Sequence, residues 1–350
     1  MKRRLISVVS ITLLLVLSLS ACSGTGGTAG STGPADASSS GSPGTAPAKT
    51  YTLRLGHEGQ GETHPYQYGA EQFAKLVSEK TDGAVSIEIY GNASLGSQKE
   101  MVEMVYTGTL DIVENVFSVF ESYCPDIGSL VLPFMFDNLD HYWACMDGEL
   151  GEEISGWLSE RGFTMLAVFQ NGEIGLESKY PVEVPKDVKG LKFRAPDGQV
   201  ADAISKNLGL NGTSLALSEL YSAFQLGTIE CASYQVPNVY SYGFYEVAPY
   251  FCELNYQIMG EPVTINTKVF ESLPEEYRTA LVEAAREAAV LQRDYAQQSV
   301  KTWRDEMAGK GATFYYPSES ELSQWKDVMN IYDQFPQWQS VLELVKSTKY

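Results

Sequence analysis

Few side chains in this sequence stand in arrangements that make or break bonds. The three histidines, His57, His64 and His141, lack HExxH or other metal-ligand spacing. No Gly-x-Ser-x-Gly stretch offers a strained nucleophile. Asp and Glu number 44 in 350 residues, so carboxylate pairs arise by chance and none is singled out. A different set stands out: polar and charged residues just after short apolar runs. These are His57 and Glu58, Glu114 and Asn115, Arg194 and Asp197, and residues 233–238, which include Tyr234 and Asn238. Their chemistry is recognition rather than catalysis. A guanidinium offers a planar fork of donors that fits a carboxylate with two parallel hydrogen bonds. Carboxylates and amides can bond hydroxyls or an amine. An arginine so placed serves equally well in an ion pair within its own lobe, and its residue type alone does not choose.

The elements that position these residues are readable. Residues 51–57 alternate apolar and polar and predict a strand. Pro65 opens a helix striped by Ala70, Phe73, Leu76 and Val77, which runs out at Thr81-Asp82-Gly83. Residues 85–90 predict a second strand, 97–107 a second amphipathic helix closed by Gly108, and 110–113 a buried strand. The order strand, helix, strand, helix, strand then returns over 190–194, 199–208, 213–217, 218–226 and 229–233. Alternation of this kind predicts parallel strands with helices on their faces. The segments 106–112 and 225–231 also share a helix end, a glycine, a threonine, an aliphatic residue and an acid. The expected fold is therefore α/β with two similar lobes, and the ligand lies in the crevice at the carboxyl ends of the strands.

A long helix follows, capped by Ser272 and with Pro274 in its first turn. Its apolar side carries Ala280, Leu281, Ala284, Ala288 and Leu291, and it runs to about Met307. At about 1.5 Å per residue it reaches roughly 50 Å, more than one small lobe, so it bridges both. The expected division is lobe 1 over 51–172 plus about 262–300, lobe 2 over 173–261, a bridging helix over 272–307, and C-terminal helices over 308–350 that pack on the lobes.

The first fifty residues have another task. Lys2, Arg3 and Arg4 precede an uncharged run over 5–19, the pattern of an export signal. As a helix the run spans roughly 22 Å, short for a hydrocarbon core of about 30 Å. It ends in Leu19-Ser20-Ala21-Cys22, which resembles the lipobox of bacterial lipoproteins. That resemblance implies removal of residues 1–21, a lipid on Cys22 and anchorage to the membrane on the outer side. Residues 23–50 are almost all Gly, Ser, Thr, Ala and Pro and read as a flexible tether.

The whole chain has 25 basic and 44 acidic residues and a formal charge of −19. Residues 1–21 hold three of the basic residues and no acid, so cleavage leaves 22 against 44, a charge of −22. Such a balance argues against nucleic acid and anionic membrane surfaces as partners. It does not argue against a small anion in a cleft, which responds to local groups. Cys124, Cys145, Cys231 and Cys252 form no CxxC pair, so no metal or other cofactor is expected. The four either pair as Cys124/Cys145 and Cys231/Cys252, each within one lobe, or remain buried thiols.

The chain resembles the solute-binding subunit of tripartite ATP-independent periplasmic (TRAP) transporters, in the C4-dicarboxylate-binding branch. The resemblance covers nearly all of residues 51–310. Its motifs include His57…His64-Pro65-Tyr66 and Leu95-Gly96-Ser97-Gln98-Lys99-Glu100-Met101. They continue with Leu132-Pro133-Phe134-Met135-Phe136, then Lys189-Gly190-Leu191-Lys192-Phe193-Arg194-Ala195-Pro196. Ser218-Glu219-Leu220-Tyr221 and Asn266-Thr-Lys-Val-Phe270 complete the series. The resemblance implies that Arg194 pairs a substrate carboxylate. It also locates two departures: Tyr234 stands where many members carry Asn, and Asn171-Gly172 is followed by Glu173 and Ile174 where sugar-acid binders often carry a second arginine. These departures favour a monocarboxylate, with Tyr234 stacking on or bonding its body and Glu58, Asn115, Asp197 and Asn238 around it.

The expected function is that of a non-catalytic, monomeric binding protein that hands an organic acid to a TRAP permease. The competing readings are a binding protein of an ATP-driven transporter and an extracytoplasmic enzyme.

Overall fold

Ser97 shows how the sequence sets its elements locally. Its hydroxyl accepts from the Glu100 N–H at 3.4 Å, while the Glu100 carboxylate accepts from the Ser97 N–H at 2.7 Å. This reciprocal cap starts α2 (Gln98–Thr107), and Gly108 ends it in the left-handed conformation, φ 79°. The computed structural model describes residues 49–195 and 198–350. Cys22, the export signal and most of the tether therefore lie outside the described residues.

The first half begins with β1 (Tyr51–Gly56), α1 (Pro65–Lys80), β2 (Val85–Tyr90), α2 and β3 (Ile112–Glu114). Two helices, α3 (Leu139–Met146) and α4 (Glu149–Ser159), lead into β4 (Phe163–Ser178). The second half runs β5 (Lys192–Arg194), α5 (Gln199–Leu208), β6 (Asn211–Thr213), α6 (Leu220–Leu226), β7 (Cys231–Gln235), α7 (Val236–Ser241) and β8 (Tyr250–Asn266). It closes with α8 (Thr267–Ser272), α9 (Glu275–Gly309), β9 (Thr313–Tyr315), α10 (Glu319–Val328) and α11 (Gln339–Ser347).

Among the described residues the strands form one sheet, ordered β2-β1-β3-β8-β4-β7-β5-β6, with β9 beside β8. The order is symmetric. Strands β2, β1 and β3 are parallel and end against antiparallel β8; β6, β5 and β7 are parallel and end against antiparallel β4. The two related segments of the sequence occupy equivalent places. Gly108 closes α2 before β3, and Gly227 closes α6 before β7, with φ 79° and 69°. This is the two-lobed α/β architecture expected from the element order.

The long strands β4 and β8 were not foreseen. They pair antiparallel from Phe163↔Asn266 to Ser178↔Tyr250 and run through both halves of the sheet. Their buried faces include Gln170, Asn171, Glu177, Glu253 and Glu261, which breaks the hydrophobic pattern a strand reading needs. Their register shifts between Gln170 and Gly172 and again between Ile174 and Leu176.

Helix α9 packs on α1 and β4 and reaches α7 and β9. At 35 residues it spans roughly 50 Å, at about 1.5 Å per residue. Three details differ from the expectation. Ser272 ends α8, its hydroxyl donating to the Val269 carbonyl at 2.7 Å, and Pro274 takes the cap of α9. Leu291 is 38% exposed, while Gln292 is buried; steps of three and four residues from Leu281, Ala284 and Ala288 lead to position 292. The strand expected over 213–217 lies earlier, at Asn211–Thr213, as an exposed edge. Cys124, Cys145, Cys231 and Cys252 are buried free thiols. Cys231 on β7 and Cys252 on β8 are separated by β4, and two spacings of about 4.8 Å exceed disulfide reach.

Candidate functional site

A cleft holding about 1070 Å³ of empty space, its open mouth included, lies where the parallel strands end. Glu58 follows β1, Val116 follows β3, Arg194 ends β5 and Asn238 follows β7, and all four line it. This is the crevice that open α/β sheets offer to ligands. Asn171, Ile174 and Met259 of the β4–β8 ribbon also line it.

Arg194 is held from two sides. Its Nε donates to the Leu215 carbonyl at 3.2 Å. Its guanidinium carbon stands 5.5 Å from the centroid of the Tyr234 ring. Its terminal amino groups make no hydrogen bond to any described residue. Tyr234 is buried, its hydroxyl has no partner among the described residues, and burial pushes the phenol above its ordinary range.

Glu58 is buried and accepts from Gln98 Nε2 at 2.5 Å. Burial raises its carboxyl to about 7, against the downward pull of the Arg194 charge and the Gln98 bond. Its carbonyl accepts from the Tyr242 hydroxyl at 3.1 Å, which ties β1's end to the second half of the sheet. Asn238 uses both ends of its amide: Nδ2 donates to Gln235 at 3.2 Å, and Oδ1 bonds the His64 ring at 3.1 Å.

One expected residue stands elsewhere. Asn115 does not line the cleft. Its Nδ2 donates to the Gln98 carbonyl at 3.0 Å and its Oδ1 accepts from the Val116 N–H at 2.9 Å, so it holds the segments beside the site. Asp197 lies outside the described residues. His57 is buried, bonds Gln67 at 3.0 Å and is driven down to about 4 by burial.

Asn171, Gln98 and Lys99 were not singled out beforehand and all line the cleft. Asn171 donates to Glu261 Oε1 at 2.5 Å, and that oxygen also accepts from the Tyr66 hydroxyl at 2.5 Å. Asn171 is 2% exposed, and its Oδ1 has no partner among the described residues. Behind it, burial raises Glu261 and Glu114 well above the carboxylate range; the Glu58 charge raises Glu261 further, and the Glu261 charge raises Glu114. The signal for Asn171 was the Asn-Gly pair. Gly172 adopts φ +117° at a register shift, which turns Asn171 towards the cleft. Among the described residues, no group of three or more His, Cys, Asp or Glu is arranged to hold a metal ion.

The family described as "Bacterial extracellular solute-binding protein, family 7" matches residues 55–337. A solute-binding protein of Chromohalobacter salexigens is 33% identical over 285 residues, covering 80% of this chain and 84% of its own. A TRAP periplasmic solute-binding protein structure from that organism, with bound D-glucuronate, superposes with a TM-score of 0.80 at 32% identity. It covers 85% of this chain and 98% of its own. One from Sulfurospirillum deleyianum, with bound succinate, gives a TM-score of 0.81 at 28% identity, covering 86% and 100%.

Proposed function

This chain belongs to bacterial extracellular solute-binding protein family 7, as a TRAP-type solute-binding protein, and we propose that it captures an organic acid in the cleft headed by Arg194. The observation that carries this reading is the state of the guanidinium. It is braced at Nε, backed by the Tyr234 ring, and open at its terminal amino groups. A carboxylate completes it with two charge-assisted hydrogen bonds. Glu58 and Asn238 frame the body of the ligand, Asn115 acts by holding Gln98, and Asp197 stands three residues beyond Arg194 in sequence. The D-glucuronate and succinate in related structures support a carboxylate as cargo.

The family and its structural neighbours are binding proteins, so the protein holds its ligand and releases it unchanged to a TRAP permease. The lobes, residues 51–172 with about 262–300 and residues 173–261, close over the cargo about the β4–β8 ribbon. No described helix is long and apolar enough to cross a membrane. We place the anchor at Cys22, lipidated after removal of residues 1–21, with the stretch up to residue 50 as tether. The protein works there as a monomer, close to its permease.

Thermal unfolding of the mature chain against a panel of organic acids tests the capture reading. An acid at one hundred times its dissociation constant stabilises by about 2.7 kcal/mol. No stabilisation by any acid in the panel would refute it, and conversion of a bound acid on incubation would refute the non-catalytic role.

A further inference from the structure

Resting on carboxylate capture, we infer that the cleft selects an acid with one carboxylate and an apolar body, aliphatic or aromatic, over polyhydroxy acids and acids with two carboxylates.

Away from Arg194 the lining carries a set of aliphatic side chains from three segments. Val116 and Val119 come from the segment after β3, Val200 and Ile204 from α5, and Ile174 and Met259 from the ribbon. The two outer walls belong to different halves of the sheet, and the structure holds them together. Helix α5 packs on residues Pro125–Val131, and Gln199 Nε2 donates to Glu121 Oε1 at 3.3 Å. A hydroxyl pressed against these methyl groups loses its water and gains no partner. A second carboxylate fares worse: Ile174 and Met259 offer it no charge or donor, and Lys99, the other cation of the lining, is already engaged within the protein. An apolar body placed there leaves water without such a penalty.

The polar lining points the same way. Gln98 donates its amide to Glu58, Gln257 donates to the Val131 carbonyl, and Asn238 uses both ends of its amide. These groups are committed to the protein. Asn171, Ser233 and Tyr234 each keep a buried polar atom without a partner among the described residues. That pattern suits a ligand with few hydrogen-bonding groups beside its carboxylate. Asn171 presents an oxygen because its Nδ2 is held by Glu261, so the matching group on the ligand is a donor, as in a phenol.

Titration calorimetry on the mature chain, at one pH, with 4-hydroxyphenylacetate, 4-methylpentanoate, D-glucuronate and succinate tests the inference. The expected result is that at least one of the first two acids binds tenfold or more tighter than either of the last two. Ile174→Arg should narrow or reverse that ratio; Ile174→Thr serves if the arginine variant does not fold, and should weaken the apolar-bodied acids at least threefold. Equal affinities, tighter binding of D-glucuronate or succinate, or an unchanged ratio in a folded Ile174 variant would overturn the inference and leave carboxylate capture standing. Heat from none of the four acids, with thermal unfolding intact, would overturn both.

Discussion

Arg194 and Tyr234 are set against each other by the ladder of two neighbouring parallel strands. Arg194 on β5 is in register with Ala232 on β7, and Tyr234 is two residues further along the same face. This spacing leaves the guanidinium carbon 5.5 Å from the ring centroid, within range of a cation–π contact. The ring therefore helps to hold the fork before a ligand arrives. Replacement of Arg194 by Ala should weaken carboxylate binding at least tenfold, or about 1.4 kcal/mol. Arg194→Lys keeps the charge without the fork and should recover only part of the loss. Calorimetry with the tightest-binding acid measures both.

Glu58 makes stability depend on pH. Its carboxyl rises from 4.5 to about 7 in the folded protein because it is buried. Between those values the folded state binds the proton and the unfolded state does not, so stability falls as pH rises. The effect is on the order of a few kcal/mol. His57 and His64 act oppositely: burial lowers them to about 4 and about 3, so stability is lost as pH falls from 6.5. The Glu58→Gln variant should reduce the first slope, to which buried Glu114, Glu177 and Glu261 also contribute, and retain the second, read from urea unfolding between pH 4 and 8.

Gln292 fastens the long helix to the ribbon. Its Oε1 accepts from the Gln170 N–H at 2.7 Å, and its Nε2 donates to the Gln170 carbonyl at 2.9 Å. Both groups are buried next to the register shift. Substitution by Ala strands a backbone donor and acceptor, at about 1–3 kcal/mol each. Urea unfolding should show a loss of about 2–5 kcal/mol with little change in slope.

Gly172 holds φ +117° at the register shift that turns Asn171. An added methyl group meets only Gln235 Cβ at 3.9 Å, so the penalty lies in the backbone rather than in crowding. Gly172→Ala should destabilise by about 1–3 kcal/mol and weaken ligand binding through Asn171. Unfolding and calorimetry on the same preparation separate the two effects.

Cys22→Ser should abolish incorporation of labelled fatty acid and release the protein from the membrane fraction. Retention of label in the variant would remove Cys22 as the anchor.

The parallel βα units and the place of Arg194 at a strand end were legible in the sequence. Parallel βα units read out of hydrophobic period and glycine caps, because those signals act over a few residues. Gly108 and Gly227 end equivalent helices for the same local reason, and Arg194 follows its apolar strand directly. The ribbon was not legible. Strands β4 and β8 carry buried amides and carboxylates whose partners lie far along the chain, such as Tyr66 with Glu261 and Gln292 with Gln170.

Which strand-end residues enter the cleft follows from packing between distant segments. Glu58, Arg194, Tyr234 and Asn238 line it, whereas Asn115 turns to the backbone of Gln98 and Val116. That packing also brought Asn171 and the apolar walls of two separate segments to one place. Sequence pattern fixes a residue's face on its own element. What that face meets depends on contacts more than a hundred residues apart, and those form only when the long strands and α9 close the two halves into one fold.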